Sequence, residues 1–139
     1  MIERRKKVIE TLNALSINYE IYEHPPLPDI ETALQYWKDI KATHCKNLFF
    51  RNHKGNRHYL VILDHLRQMG IHDLEKKLKQ GKLSFASEKR MVKYLGLMPG
   101  SVSPFGLIND SENHVHVFME LVECFFQCWQ ERSLHCIGI

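Results

Sequence analysis

Lys46 stands just ahead of the apolar run Leu48-Phe49-Phe50. An ammonium at the mouth of a buried strand is held near the core, where desolvation disfavours its charge, and can orient a carbonyl or a phosphate. An edge lysine that guards a strand, or one that snorkels to water, would carry the same local sequence. Further on, Gly100-Ser101-Val102-Ser103-Pro104 offers backbone amides with no side chain in the way at Gly100. Such a loop can hold an amine, a carboxyl or a ribose. An ordinary tight turn reads the same way, because Pro-Gly dipeptides mostly mark turns.

Other reactive side chains form weaker patterns. His114 and His116 are two apart in a strand-like run, which predicts that they share one face. Cys124, Cys128, His135 and Cys136 could be gathered around a zinc ion, but their spacing fits no usual zinc pattern. Neither a metal nor a cofactor is expected. His44 and Cys45 are neighbours, and neighbours on an extended chain point apart, so they do not form a nucleophile–base pair; Cys45 reads as a small core residue. No Ser–His–Asp arrangement, phosphate-binding loop or dinucleotide fingerprint is present.

The net charge of +3 is too small to identify a nucleic-acid binder, but its distribution is uneven. Lys76, Lys77, Lys79, Lys82, Lys89, Arg90 and Lys93 fall within residues 76–93, against Glu88 alone. An excess of that size can meet several phosphates. The solvated face of two surface helices would look alike.

These residues need elements to position them. Val8, Ile9, Leu12 and Leu15 recur at helical spacing and predict a helix over 2–15. Residues 19–22 alternate like a short strand. His24-Pro25-Pro26-Leu27-Pro28 must be extended, and Asp29 suits the N-cap of a helix over 30–40. The apolar runs 47–51 and 59–63 flank Asn52-His53-Lys54-Gly55-Asn56 and predict an antiparallel hairpin. A helix over 72–80 should stop at Gly81, and another should run from a Ser87 cap to Gly96. Residues 97–104 are a loop stiffened by two prolines. Leu107-Ile108 and 115–119, around the polar turn 109–113, predict a second hairpin. Together these describe an α/β (α+β) chain with a mixed, mainly antiparallel sheet and flanking helices.

The 139 residues suit a single domain, and the 44% apolar and 25% charged composition is that of a soluble protein. No run reaches the ~18 apolar residues of a membrane helix. The N-terminus Met-Ile-Glu-Arg-Arg-Lys-Lys has no apolar stretch behind it, so the cytoplasm and reduced thiols are expected.

Four blocks, in order, carry a family resemblance: Glu23-His24-Pro25-Pro26; Cys45-Lys46-Asn47-Leu48-Phe49-Phe50; Gly81-Lys82-Leu83-Ser84-Phe85-Ala86-Ser87; and residues 96–109, which hold Gly100 to Pro104. Over residues 5–119 the chain resembles the YbaK and prolyl-tRNA editing-domain family in its free-standing, PrdX-like form. The resemblance implies a single editing-type domain over 1–139. It also implies hydrolysis of an aminoacyl ester on mischarged tRNA, with alanine on tRNA(Pro) as substrate. A proline pocket cannot strongly reject a smaller amino acid, since a missing methylene is worth only about 1–3 kcal/mol. By position, Lys46 matches the family's essential lysine and Gly100 and Pro104 its GxxxP loop, with Ser101, Val102 and Ser103 between them. Lys46 would orient the substrate, the loop would hold its polar groups, and Arg51 and Lys82 would meet acceptor-stem phosphates. The pocket's size would depend on Ile30, Leu34 and Val102. Partners implied are aminoacyl-tRNA and prolyl-tRNA synthetase, with no membrane, as monomer or homodimer. Residues 120–139 lack the family's Phe-His-Pro segment and read as a truncated, frameshifted or divergent ending. That ending supports an alternative: a catalytically impaired homologue that binds tRNA or the synthetase.

Overall fold

A computed structural model describes residues 2–24, 35, 43–64, 66, 70–99, 102–120, 124–130 and 133–138; at 2–4, 22–24, 43–44, 120 and 124–138 the backbone alone is described. The elements are α1 (Ile2–Ala14), β1 (Glu20–His24), β2 (Thr43–Arg51), β3 (His58–Asp64), α2 (Ile71–Leu78), β4 (Ser84–Phe85), α3 (Glu88–Leu95), a 3-10 helix η1 (Pro104–Asn109), β5 (Val115–Glu120), β6 (Cys124–Gln130) and β7 (Ser133–Gly138). They group into two compact units, Met1–His44 with Val122–Ile139, and Cys45–Leu121. No helix among the described residues is long and apolar enough to cross a membrane.

In the first unit β7 pairs antiparallel with both β1 and β6, and Thr43 and His44 run parallel to β6. The α1 stripe buries Val8 and Leu12, while Leu15, expected on the same stripe, is exposed past the helix end, where Ser16 turns with φ 56°. The proline segment and the helix expected over 30–40 lie almost wholly outside the described residues.

The second unit carries a mixed four-stranded sheet in the order β4-β2-β3-β5. The β2–β3 and β2–β4 pairs are antiparallel and the β3–β5 pair is parallel. The expected β2–β3 hairpin is present; β2 begins four residues before its apolar run and β3 extends one residue beyond its run at each end. Alternation assigns the faces. Leu48, Phe50, Tyr59, Val61 and Leu63 pack with Ile71, Leu74 and Leu78 of α2, which recur along one helical face. On the opposite face the ring of Phe49 stacks on His58, and His58 meets Tyr94 of α3. The sheet is therefore sandwiched between α2 and α3.

Helix ends follow local chemistry. The Ser87 hydroxyl accepts the Arg90 N–H at 3.4 Å, and Gly96 closes α3 with φ 65°, both as expected. In α2 the left-handed residue is Lys79, φ 53°, two residues before the expected Gly81.

The second hairpin does not form. Residues 104–109 are a 3-10 helix with Pro104 at its start, and β5 joins β3 in parallel. Proline opens a helix well but cannot donate to a ladder. Asn109 Nδ2 donates to the Leu95 carbonyl at 2.9 Å, which ties this turn to the end of α3.

Candidate functional site

The sequence-predicted residues fall at three places in the second unit. Lys46 is half-buried in β2 opposite Leu63 of β3, one residue into the pairing that starts at Cys45 and Asp64. Its neighbour Asn47 points to the other face, opposite Ile62. Arg51 lies at the far end of β2, paired with His58 on one side and Ser84 on the other. Lys82, exposed, is two residues before Ser84. Arg51 and Lys82 are thus brought to one end of the sheet, and Lys46 to the other. Arg51 is five residues along the strand from Lys46, roughly 17 Å.

Of the loop, Val102, Ser103 and Pro104 are described; Gly100 and Ser101 lie outside the described residues, as do Ile30 and Leu34. The described part is anchored firmly. Ser103 is extended and only 1% exposed, and its carbonyl accepts the Gly106 N–H at 3.1 Å. A Cβ on Gly106 would fall 2.9 Å from Leu95 Cβ and 3.0 Å from the Leu95 carbonyl oxygen. Only glycine lets η1 approach the end of α3 so closely. The loop is therefore held at one end by the Gly96 cap and at the other by η1.

Among the described residues, two buried side-chain polar atoms have no hydrogen-bond partner: Asn47 Oδ1 and Ser103 Oγ. A buried polar atom left unsatisfied costs about 1–3 kcal/mol. One belongs to the Lys46 block and the other to the Gly100–Pro104 loop.

The sequence reading missed a second polar cluster at the Arg51 end. His58 is fully buried at the start of β3. Its Nδ1 lies 2.8 Å from His114 Nε2, and its Nε2 3.1 Å from Arg90 Nη1. Arg90 can only donate, so Nε2 is the acceptor and Nδ1 carries the proton given to His114. Arg90 Nη1 also donates to the Gly55 carbonyl at 2.8 Å. Tyr94 stacks on His114 at 4.4 Å. Burial first, then the charges of His114, Arg90, Arg51 and Lys93, hold the His58 pKa down to about 4. The ring is neutral at neutral pH and serves as a connector of β3, α3 and the turn before β5. No local pattern marks it. The nearest signal is Asp110, whose carboxylate accepts the N–H groups of His114 and Val115 at 3.0 and 2.8 Å, as turn aspartates do.

His114 and His116 do not share a face. His114 precedes β5, after Asn113 with φ 52°, and joins His58; His116 meets Tyr59 on the α2 side. Arg90 is also withdrawn from the basic stretch by its inward bonds. Cys45 is only half-buried. No group of three or more His, Cys, Asp or Glu among the described residues could hold a metal. The side chains of Cys124, Cys128, His135 and Cys136 lie outside the description.

The family model for the aminoacyl-tRNA editing domain matches residues 24–121. The prolyl-tRNA editing protein ProX of Acetoanaerobium sticklandii is 40% identical over 119 residues, 86% of this chain and 73% of that protein. The prolyl-tRNA synthetase associated domain-containing protein 1 of Mus musculus is 36% identical over 78% of this chain. This chain spans 65% of that relative's length, less than two thirds. A crystal structure described as a candidate trans-editing enzyme for prolyl tRNA synthetase matches with a TM-score of 0.72. It is 17% identical and covers 96% of this chain and 85% of its own; at that identity the likeness speaks to the fold.

Proposed function

Since the chain belongs to the aminoacyl-tRNA editing domain family, we propose that it is a trans-acting deacylase that removes alanine attached in error to tRNA(Pro). The observation that carries this reading is the 40% identity to a prolyl-tRNA editing protein over 86% of the chain, with Lys46 and the loop to Pro104 inside the matched residues.

In the reaction, water adds to the ester carbonyl carbon, the bond from that carbon to the ribose oxygen breaks, and alanine leaves as a carboxylic acid while the ribose hydroxyl is restored. The half-buried Lys46 ammonium would orient the substrate and stabilise negative charge on the carbonyl oxygen. The loop from Gly100 to Pro104 would hold the substrate's polar groups. The family resemblance has the substrate's own ribose hydroxyl help the attacking water, which suits a site with no evident general base among the described residues. Ser103 Oγ, a buried atom without a partner inside the loop assigned to the substrate, supports the reading; Asn47 Oδ1, the other such atom among the described residues, lies beside Lys46 in the chain but on the opposite face of the sheet. Proline would be rejected by size.

The test is incubation with alanyl- and prolyl-tRNA(Pro). Alanine is expected to be released well above the buffer rate, and proline is not. Ester loss at the buffer rate for every charged tRNA would sink the reading. A second reading, a tRNA- or synthetase-binding homologue without turnover, is favoured by one observation, the lack of a Phe-His-Pro motif in residues 120–139. It predicts salt-sensitive tRNA binding in the same samples with no hydrolysis.

A further inference from the structure

Lys54 and Arg57 lie far from the basic stretch 76–93 in sequence, yet the fold brings them to it. The His53 N–H donates to the Gln80 carbonyl at 3.4 Å, and Gly81, φ +78°, leaves no room for a Cβ against His53. The hairpin turn therefore touches the turn that carries Lys79 and Lys82. On its other side the same turn is held by the Arg90–Gly55 bond at 2.8 Å.

The turn is rigid. Asn52, 1% exposed, accepts the N–H groups of Asn56 and Arg57 at 3.0 and 3.1 Å, and its Nδ2 donates to Asn56 Oδ1 at 2.7 Å. Lys54, Arg57, Lys79 and Lys82 are all exposed around it. The nearest acid on α2, Glu75, is already engaged: its carboxylate accepts the Leu83 N–H at 2.8 Å and pairs with His72. Glu88 is the remaining acid of residues 76–93. Beside Lys82, Phe85 is 64% exposed, with its ring stacked on Phe50 at 4.7 Å. A large aromatic fixed by a buried neighbour and open to solvent amid cations is the arrangement that binds unpaired bases.

We propose that this rim is an RNA-docking surface, with Lys54, Arg57, Lys79 and Lys82 meeting phosphates and Phe85 stacking an unpaired base. The inference rests on the editing reading for the identity of the RNA, a tRNA. It extends the site along β2: Phe50, the partner of Phe85, is four residues from Lys46, roughly 13 Å. At about 3.4 Å per stacked nucleotide, Phe85 would meet a base about four positions from the ester-bearing end. The rigid turn presents its cations at fixed spacing, so little ordering is required on binding.

Binding of uncharged tRNA to the full chain, followed by fluorescence anisotropy across salt concentrations, tests this. The fourfold variant Lys54→Gln, Arg57→Gln, Lys79→Gln, Lys82→Gln should flatten the slope of log K against log salt by about 3, at roughly 0.7–0.9 per phosphate contact. Phe85→Ala should weaken binding about five- to a hundred-fold with the slope unchanged, and Phe85→Tyr should restore it. Lys6→Gln with Lys7→Gln, on α1, should leave both quantities as in the wild type. An unchanged slope in the fourfold variant overturns the proposal, as does a wild type that binds no tRNA at low salt. Hydrolysis of alanyl-tRNA(Pro) by the same wild-type sample reports separately on the deacylase reading, which survives either result if ester loss is fast.

Discussion

The two ends of the β2–β3 ladder handle buried polar groups in opposite ways. At the Arg51–His58 end the buried histidine has both ring nitrogens engaged, by His114 and Arg90, and Arg90 bonds onward to Gly55. At the Lys46–Leu63 end, Asn47 Oδ1 is buried with no partner among the described residues, and Ser103 Oγ in the loop shares that state. Satisfied clusters specify structure; unsatisfied atoms cost stability and are worth keeping where a ligand can offset the cost. On the editing reading, the buried cluster at the first end supports the protein while the exposed rim around it meets the tRNA, and the second end meets the aminoacyl ester.

The sharpest way to break this contrast is at Lys46. Lys46→Ala should lower deacylation of alanyl-tRNA(Pro) by about a hundred-fold or more, the scale of losing one group that stabilises developing charge. Its melting temperature should stay near that of the wild type, because the side chain is half-buried and lies on no described network. A large fall in stability with little loss of activity would reverse the two roles.

His58→Phe should do the opposite. Turnover per folded molecule should hold, while stability falls by about 1–3 kcal/mol as Arg90 and His114 lose their partner. The pH dependence sharpens the test. The folded pKa of about 4 lies below the unfolded value near 6.5, so in that window the unfolded chain binds the extra proton. The wild-type contribution is fully present above pH 6.5 and is lost as pH falls toward 4, by roughly 3 kcal/mol at most. Urea midpoints measured across that range should drop in the wild type and drop less in His58→Phe. Parallel curves would mean that other groups carry the acid sensitivity.

Gly106→Ala probes the link between the loop and its support. The added Cβ would meet Leu95 backbone and side chain at 2.9–3.0 Å, so η1 must shift and carry Ser103 with it. A loss of about 1–3 kcal/mol in stability is expected, with a rise in KM larger than the change in kcat. Unchanged kinetics would show that the loop is positioned from elsewhere.

Much of the second unit was legible because its signals are local. An Asn-rich turn with Gly55 between apolar runs marks a hairpin, and Ser87 and Gly96 bracket a helix. Each depends on the backbone preferences of a few adjacent residues. Lys46 was singled out in another way, through the order of four sequence blocks, since its own strand context favours a guarding edge lysine.

What remained illegible depends on contacts between distant residues. The parallel pairing of β5 with β3 closes a loop of some fifty residues and leaves no periodic trace distinct from a hairpin's. His58 and His114 are 56 positions apart, and nothing near either predicts their 2.8 Å bond. By itself the sequence determined where chain direction changes, which runs seek the core and which lysine to suspect, because those follow from φ preferences, burial and residue order. Only the tertiary structure decided which histidine faces which side, that Arg90 turns inward, and that the turn carrying Lys54 and Arg57 touches the turn carrying Lys79 and Lys82. Those outcomes are set by packing between segments, where a close approach such as Gly106 against Leu95 selects one arrangement from many that share the same local signals.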